Sequence, residues 1–191
     1  MQDVTYQRHL FIGGSDLAAI MNLSPFKKRF DLLLEKAELK ENDFQGNEYC
    51  DYGNEMELKI RDYINTKHNT NYTENKVIDG VYRYHSDGFN GTSVLEIKTT
   101  SQIKKTVKGY KIYLVQLLFG MYLNKVEKGL LAVYKRPKDF NTDFDAEQLQ
   151  EFEIELTDYK ELLEDILVAV ERFKGDLAKV KENPFIKEEE L

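Results

Sequence analysis

The stretch His85-Ser-Asp-Gly-Phe-Asn-Gly-Thr-Ser-Val-Leu-Glu-Ile-Lys98 decides how this chain folds and where its chemistry lies. Its second half continues as Ser93-Val-Leu-Glu-Ile-Lys-Thr-Thr100, alternating and rich in β-formers, directly after the turn signal Asn90-Gly91. That pattern predicts a strand leaving a hairpin. Side chains alternate along a strand, so Glu96 and Lys98 share a face. Asp87 stands one hairpin earlier, and pairing of Tyr82–His85 with Ser93–Lys98 would set it beside them. Two carboxylates and the backbone carbonyl of Ile97 can hold one or two Mg²⁺ ions, and Mn²⁺ suits the same oxygen donors. A lysine on that face can position or deprotonate an attacking water, which fits metal-assisted phosphodiester hydrolysis. Taken alone, E-x-K is more often an ion pair on an exposed strand. The apolar neighbours Val94, Leu95 and Ile97, which imply burial, favour the site.

Outward from this segment the pattern alternates between helix and strand. Ser15 can cap a short helix over 16–22, and Ser24-Pro25 is a helix start, with Phe26, Phe30, Leu33 and Leu34 striping a helix over 26–39. A third helix is expected over 54–67, with Met56, Ile60, Tyr63 and Ile64 on one face. Strands are expected at 76–78, 81–84, 93–100, 130–134 and 152–156. The apolar run 110–124 reads as a buried helix, and 157–182 as a long amphipathic one. Strands joined by helical crossovers predict an α/β domain with a central mixed sheet flanked by helices.

The chain has 191 residues, 41% hydrophobic and 32% charged, which marks a globular rather than a disordered sequence. There are only three Pro residues, with no Ser/Gly-rich linker and no internal repeat, so one domain over 1–191 is expected, with 187–191 a frayed acidic tail. No apolar run approaches the roughly 20 residues of a membrane span. The first sixteen residues lack a signal core, which favours a cytoplasmic protein. The single Cys50 excludes an internal disulfide framework and a multi-cysteine zinc site; it is either a small structural residue or a lone nucleophile.

A net charge of −7 argues against nucleic acid, but the distribution argues the other way. Residues 97–138 carry ten Lys or Arg and one acid, Glu127, while 139–191 carry six basic and seventeen acidic residues. A basic run is usually a solvated face. This one starts at the carboxylate–lysine pair, which favours contact with a polyanion. Lys104, Lys105, Lys108 and Lys111 flank the strand-to-helix loop and would meet backbone phosphates without reading bases. Gln116 lies within Leu114, Val115, Leu117, Leu118 and Phe119, so it needs a polar partner. Glu57 can pair with Arg61 at i,i+4. Ser15, at a helix start, offers a hydroxyl and free N–H groups to an anion.

Five motifs in order resemble the lambda exonuclease/YqaJ-type branch of the PD-(D/E)xK nucleases. They are Arg8-His-Leu-Phe-Ile-Gly-Gly-Ser15, Gly53-Asn-Glu-Met-Glu57, Ser86-Asp-Gly-Phe89, Leu95-Glu-Ile-Lys98 and Tyr113-Leu-Val-Gln116. The resemblance covers about residues 8–135 and implies a restriction-endonuclease-like core. It implies metal binding and water activation by Asp87, Glu96 and Lys98, with Glu57 at the metal. Gln116 is implied near the scissile phosphate or the nucleophile, and Arg8 and Ser15 at a 5′-terminal phosphate. Ser86 replaces the usual Pro. His85 stands where a phosphate-binding Ser is common, which would make phosphate binding pH-sensitive. The implied activity is a Mg²⁺-dependent, processive 5′→3′ exonuclease on double-stranded DNA ends, in a bacterial cell or phage-infected host. A trimeric homo-oligomeric ring and a single-strand annealing partner in phage-type recombination follow from the same resemblance. An endonuclease on this fold, or a silent DNA-end-binding protein, are the alternatives.

Overall fold

The computed structural model describes residues 7–41 and 46–191. In chain order the elements are β1 (Ile12–Gly13), α1 (Leu17–Ile20), α2 (Arg29–Lys36), α3 (Glu48–His68), β2 (Thr73–Asp79), β3 (Tyr82–Phe89), β4 (Ser93–Thr100), α4 (Lys111–Asn124), β5 (Lys128–Lys135), β6 (Leu149–Glu155) and α5 (Lys160–Glu182). Short 3-10 turns separate several of them. The strands form one mixed sheet in the order β1-β3-β4-β5-β6, with β2 also on β3. The β4 and β5 strands are parallel over Ser93–Thr100, joined by the α4 crossover, and β6 returns antiparallel to β5.

Two cores sandwich the sheet. On one face, Tyr52, Met56, Ile60 and Ile64 of α3 pack on Leu95, Ile97, Leu130, Ala132 and Tyr134. On the other, α1, α2, α4 and α5 enclose Val94, Leu131 and Val133 with Leu114, Leu118, Phe119, Ile166, Val170 and Phe173. Both faces of the central strands are therefore apolar, as a covered parallel pair requires. The mixed sheet flanked by helices is the fold class expected from the sequence. Among the described residues no helix is long and apolar enough to cross a membrane.

The register of β3 positions the site. One edge of β3 is occupied by β2 along nearly its whole length. The other edge is shared. It pairs with β1 at Tyr82 and Arg83, and with β4 only at Gly88 and Phe89. Residues 84–87 have no strand beside them on that edge. The expected pairing of Tyr82–His85 with Ser93–Lys98 is thus corrected. The strands splay there because β1 takes the first two positions.

Several element bounds also differ from expectation. The helix expected from Phe26 starts at Arg29. Ser24 Oγ instead accepts from the N–H groups of Phe26 and Lys27 in a local turn, which leaves Phe26 exposed. Ser15 caps no helix and sits in a 3-10 turn over Gly14–Asp16. The α3 helix begins six residues before the expected start, because Asn47 accepts from the N–H groups of Tyr49 and Cys50 as an N-cap. Gly53 is therefore interior to the helix. The segment Ser86–Phe89 is strand, not turn; the reversal is at Asn90-Gly91, where Gly91 has φ 91°. Lys187–Leu191, expected to fray, ends in a 3-10 turn with Arg172 donating to the Leu191 carbonyl.

Two glycines in helices give opposite expectations. Gly175 is exposed inside α5 with open space around it, so Gly175→Ala should stabilise by about 1 kcal/mol. A Cβ on Gly120 would lie 2.2 Å from the Tyr84 ring, so Gly120→Ala should destabilise by about 1–3 kcal/mol. Urea unfolding of the two variants measures both.

Candidate active site

The unpaired stretch of β3 faces the start of the splayed half of β4, and the polar groups there replace the missing ladder. Asp87 Oδ2 accepts the Ile97 backbone N–H at 2.6 Å, closing the gap between the strands with a side chain. The N–H and carbonyl of one strand residue point to the same side, so the Ile97 carbonyl faces the same gap. Glu96 is fully buried. Its Oε1 lies 2.5 Å from Lys98 Nζ, and its Oε2 accepts from the Tyr84 hydroxyl. On the α3 side, Arg61 Nη1 donates to Glu57 at 3.0 Å and to the Asp87 carbonyl, and its Nη2 donates to Glu74. The structure therefore brings Asp87, Glu96, Lys98 and Glu57 together. Glu57 also makes the Arg61 pair that its i,i+4 spacing allowed.

Glu96 repels the Asp87 carboxylate, and Asp87 repels that of Glu57. Burial first, and then the charge of Glu96, push the Asp87 carboxyl up to about 7. Burial and then Asp87 push Glu57 up to about 7 as well, against the pull of Arg61. Burial opposes the charge of Lys98, but Glu96 and Asp87 outweigh it and hold the ammonium above its ordinary range. Lys98 is therefore a charged donor in this arrangement. It can orient a water or stabilise an anion, but it has no lone pair with which to take a proton.

The donor set fits a hard divalent cation. All the candidate ligands are oxygens; burial first, and neighbouring carboxylates second, raise Asp87 and Glu57, and a divalent ion would favour their charged forms. Among the described residues no three His, Cys, Asp or Glu side chains form a ready-made cage. Mg²⁺ does not need one, because it keeps several waters and binds through one or two carboxylates plus substrate phosphate.

Beside this notch lies a pocket of about 170 Å³ lined by Arg8, Gly14, Ser15, Asp16, Lys36, Arg83, Tyr84, His85 and Gln116, with Phe11 and Gly13. Lys36 is buried, 2.7 Å from Asp16 Oδ2, and also donates to the carbonyls of Arg8 and Phe11. Its three donors are thus consumed, and it holds the pocket floor. Asp16 also accepts the Gly13 N–H and pairs with Arg8 at 3.5 Å. Arg8 donates to Ser15 Oγ at 3.1 Å, so the two residues expected at a terminal phosphate already touch. His85 is held below its ordinary range by burial, then by Arg83 and Lys76, which leaves it neutral at pH 7. Its Nε2 is buried with no hydrogen-bond partner among the described residues. With Lys36 and Asp16 offsetting each other, Arg8 and Arg83 leave this pocket an excess of positive charge, which suits an anion.

Gln116 lies on this pocket's wall, against Gly14. Lys104, Lys105, Lys108 and Lys111 are exposed on the loop that leaves β4 and on the first residue of α4. Sequence reasoning missed Tyr84, Lys36, Asp16 and Arg83 as parts of the site. Gly14 gave a signal, since a Cβ there would meet the Tyr84 ring at 2.8 Å. A larger cavity, about 770 Å³, opens elsewhere, beyond the ends of β4 and β5, between Tyr49, Arg136 and Phe140. It includes none of the carboxylate cluster.

A pH dependence of stability follows. Folded Asp87 holds its proton up to about pH 7, while the unfolded carboxyl releases it near its ordinary value of about 4. Across that window the native state binds more protons, so stability falls as pH rises. Asp87→Asn keeps an acceptor for Ile97 and removes the charge. Without added metal, the variant should melt above the wild type at pH 8, with the gap closing by pH 4. Thermal melts at the two pH values check this.

Residues 5–126 match the family model described as YqaJ-like viral recombinase domain. Protein D345L of African swine fever virus is 32% identical over 99 residues, which is 50% of this chain and only 28% of that protein. An alkaline exonuclease, LHK-Exo, from Laribacter hongkongensis superposes with a TM-score of 0.66 at 18% identity, covering 92% of this chain and 91% of that one. Its complex with dAMP gives 0.67 at 20% identity, with 91% of each chain covered. A phage related exonuclease from Haemophilus somnus 129PT gives 0.63 at 15% identity, covering 90% and 96%. At these identities the structures establish a shared fold. With well over half of its length matched by the family model, the chain belongs to the YqaJ-like viral recombinase domain family.

Proposed function

We propose that this protein is a metal-dependent deoxyribonuclease that degrades one strand of linear duplex DNA from its 5′ end. The observation that carries the reading is the placement of an anion pocket directly beside the Asp87, Glu96 and Lys98 notch, with Tyr84 common to both. A relative of the same fold was solved with dAMP, a deoxynucleoside monophosphate, which is the product class of an exodeoxyribonuclease.

In this reading Arg8, Ser15 and His85 hold the 5′-terminal phosphate, and the scissile phosphate lies at the notch. A divalent ion, Mg²⁺ or Mn²⁺, held by Asp87, Glu96, the Ile97 carbonyl and Glu57 would supply Lewis-acid polarisation and an activated water. Lys98 orients the water and offsets the charge that builds on the phosphoryl oxygens. Gln116 stands on the pocket wall to orient the phosphate. Water adds to phosphorus, the bond from phosphorus to the departing O3′ breaks, and that oxygen takes up a proton. The phosphate stays on the next nucleotide, so every cut regenerates a 5′-phosphate for the pocket, which supports processive action. Lys104, Lys105, Lys108 and Lys111 add non-specific backbone attraction. A ring-shaped homotrimer and a single-strand annealing partner extend the proposal, on the family resemblance alone.

The test is linear duplex DNA with 5′-phosphates, Mg²⁺ or EDTA, and a closed circular control. Mg²⁺-dependent release of mononucleotides from linear DNA alone is expected. Lys98→Ala should lower the rate by at least about 10²-fold with the fold intact. Cutting of the circle would establish an endonuclease instead. Bound ends with no digestion would establish a silent end-binding protein.

A further inference from the structure

We propose that Tyr84 is a positioning residue that fixes the Glu96 carboxylate for metal binding and forms the shared wall between the carboxylate notch and the anion pocket. The proposal rests on the nuclease reading above and adds to it a residue that none of the motifs contains.

Tyr84 opens the stretch of β3 that has no strand on the edge shared by β1 and β4, and it is 1% exposed. Its hydroxyl donates to Oε2 of Glu96, while Lys98 approaches Oε1 at 2.5 Å. Of the two oxygens of this fully buried carboxylate, only Oε2 has a hydrogen bond, from Tyr84, while Oε1 meets Lys98 as an ion pair without one, so the Tyr84 hydroxyl is the directional contact that restricts the χ angles of Glu96. Lys98 alone cannot do this, because a flexible ammonium follows the carboxylate wherever it turns.

The ring is held as firmly as its hydroxyl. A Cβ on Gly120 of α4 would lie within 2.2–2.6 Å of its Cζ, Cε1 and hydroxyl. A Cβ on Gly14 would lie 2.8 Å from its opposite edge. Two glycines on different elements therefore leave room for this one ring and hold it from both sides. Gly14 is also pocket lining, as are Tyr84 itself and Gln116. A single rigid side chain thus forms one wall of the anion pocket and ends on a proposed metal ligand. A buried phenol needs some acceptor, and any buried acceptor would satisfy a purely structural tyrosine. Here the acceptor is the glutamate of E-x-K. Groups that orient a metal ligand in this way typically change metal affinity or activity by about 10–100-fold when removed.

Tyr84→Phe removes the hydroxyl and keeps the ring. Mn²⁺ binding to the intact protein, followed by calorimetry without DNA, should weaken by about 10–100-fold. The Mg²⁺ concentration for half-maximal nuclease activity should rise in parallel. The KM for 5′-phosphorylated DNA at saturating Mg²⁺ should stay within about twofold, because the pocket wall is unchanged. Gly120→Ala, which keeps the hydroxyl but forces it and the ring to shift, should weaken Mn²⁺ binding in the same direction. Equal Mn²⁺ affinity in wild type and Tyr84→Phe would overturn the role of Tyr84 and leave the nuclease reading standing, even if the variant melts lower. No Mn²⁺ binding by the wild type would overturn both.

Discussion

The structure turns on one backbone constraint: β3 must share an edge between β1 and β4. Neither strand covers residues 84–87, and unpaired backbone groups inside a fold must find other partners. Asp87 provides one by accepting the Ile97 N–H. In doing so it brings its carboxylate to Glu96 and Lys98, which the β4 alternation had already placed on a common face. The gap in the ladder and the candidate active site are therefore the same feature. A β4 that paired with β3 along its full length would have no room for a substrate phosphate.

The electrostatics of the notch depend on that geometry. Burial raises Asp87 and Glu57, and the mutual repulsion of the carboxylates raises them further. The metal-free protein carries this as a standing cost, which a divalent cation would remove. The neighbouring pocket is built with the opposite sign. Arg8 and Arg83 face it, while Lys36 spends its donors on Asp16 and two carbonyls. The carboxylate notch and the positive pocket stand side by side, with Tyr84 common to both.

Much of this was legible in the sequence, for specific reasons. Glu96 and Lys98 were placed by strand periodicity, α3 and α5 by their apolar stripes, and α4 by its long apolar run. Asp87 was correctly brought to the pair, but through a hairpin pairing that does not form. The register of β3 was hidden because β1 is two residues long and carries no periodic signal. Helix starts failed where local capping competed: Ser24 closed a turn instead of opening a helix, and Asn47 opened α3 ahead of the motif. The small-small-Ser motif was legible as a pattern. Its physical cause, the approach of the Tyr84 ring to Gly14, depends on a contact across about seventy residues, which no local spacing encodes. Tyr84, Lys36 and Asp16 were missed on similar grounds, since each acts through another residue.

The most direct measurement is the anomalous diffraction signal of Mn²⁺ in crystals of the intact protein. A peak is expected in the gap between β3 and β4, within coordination distance of Asp87 and Glu96 and absent from crystals of Asp87→Asn. A peak only elsewhere, or none while both carboxylates are ordered, would contradict the proposed metal site.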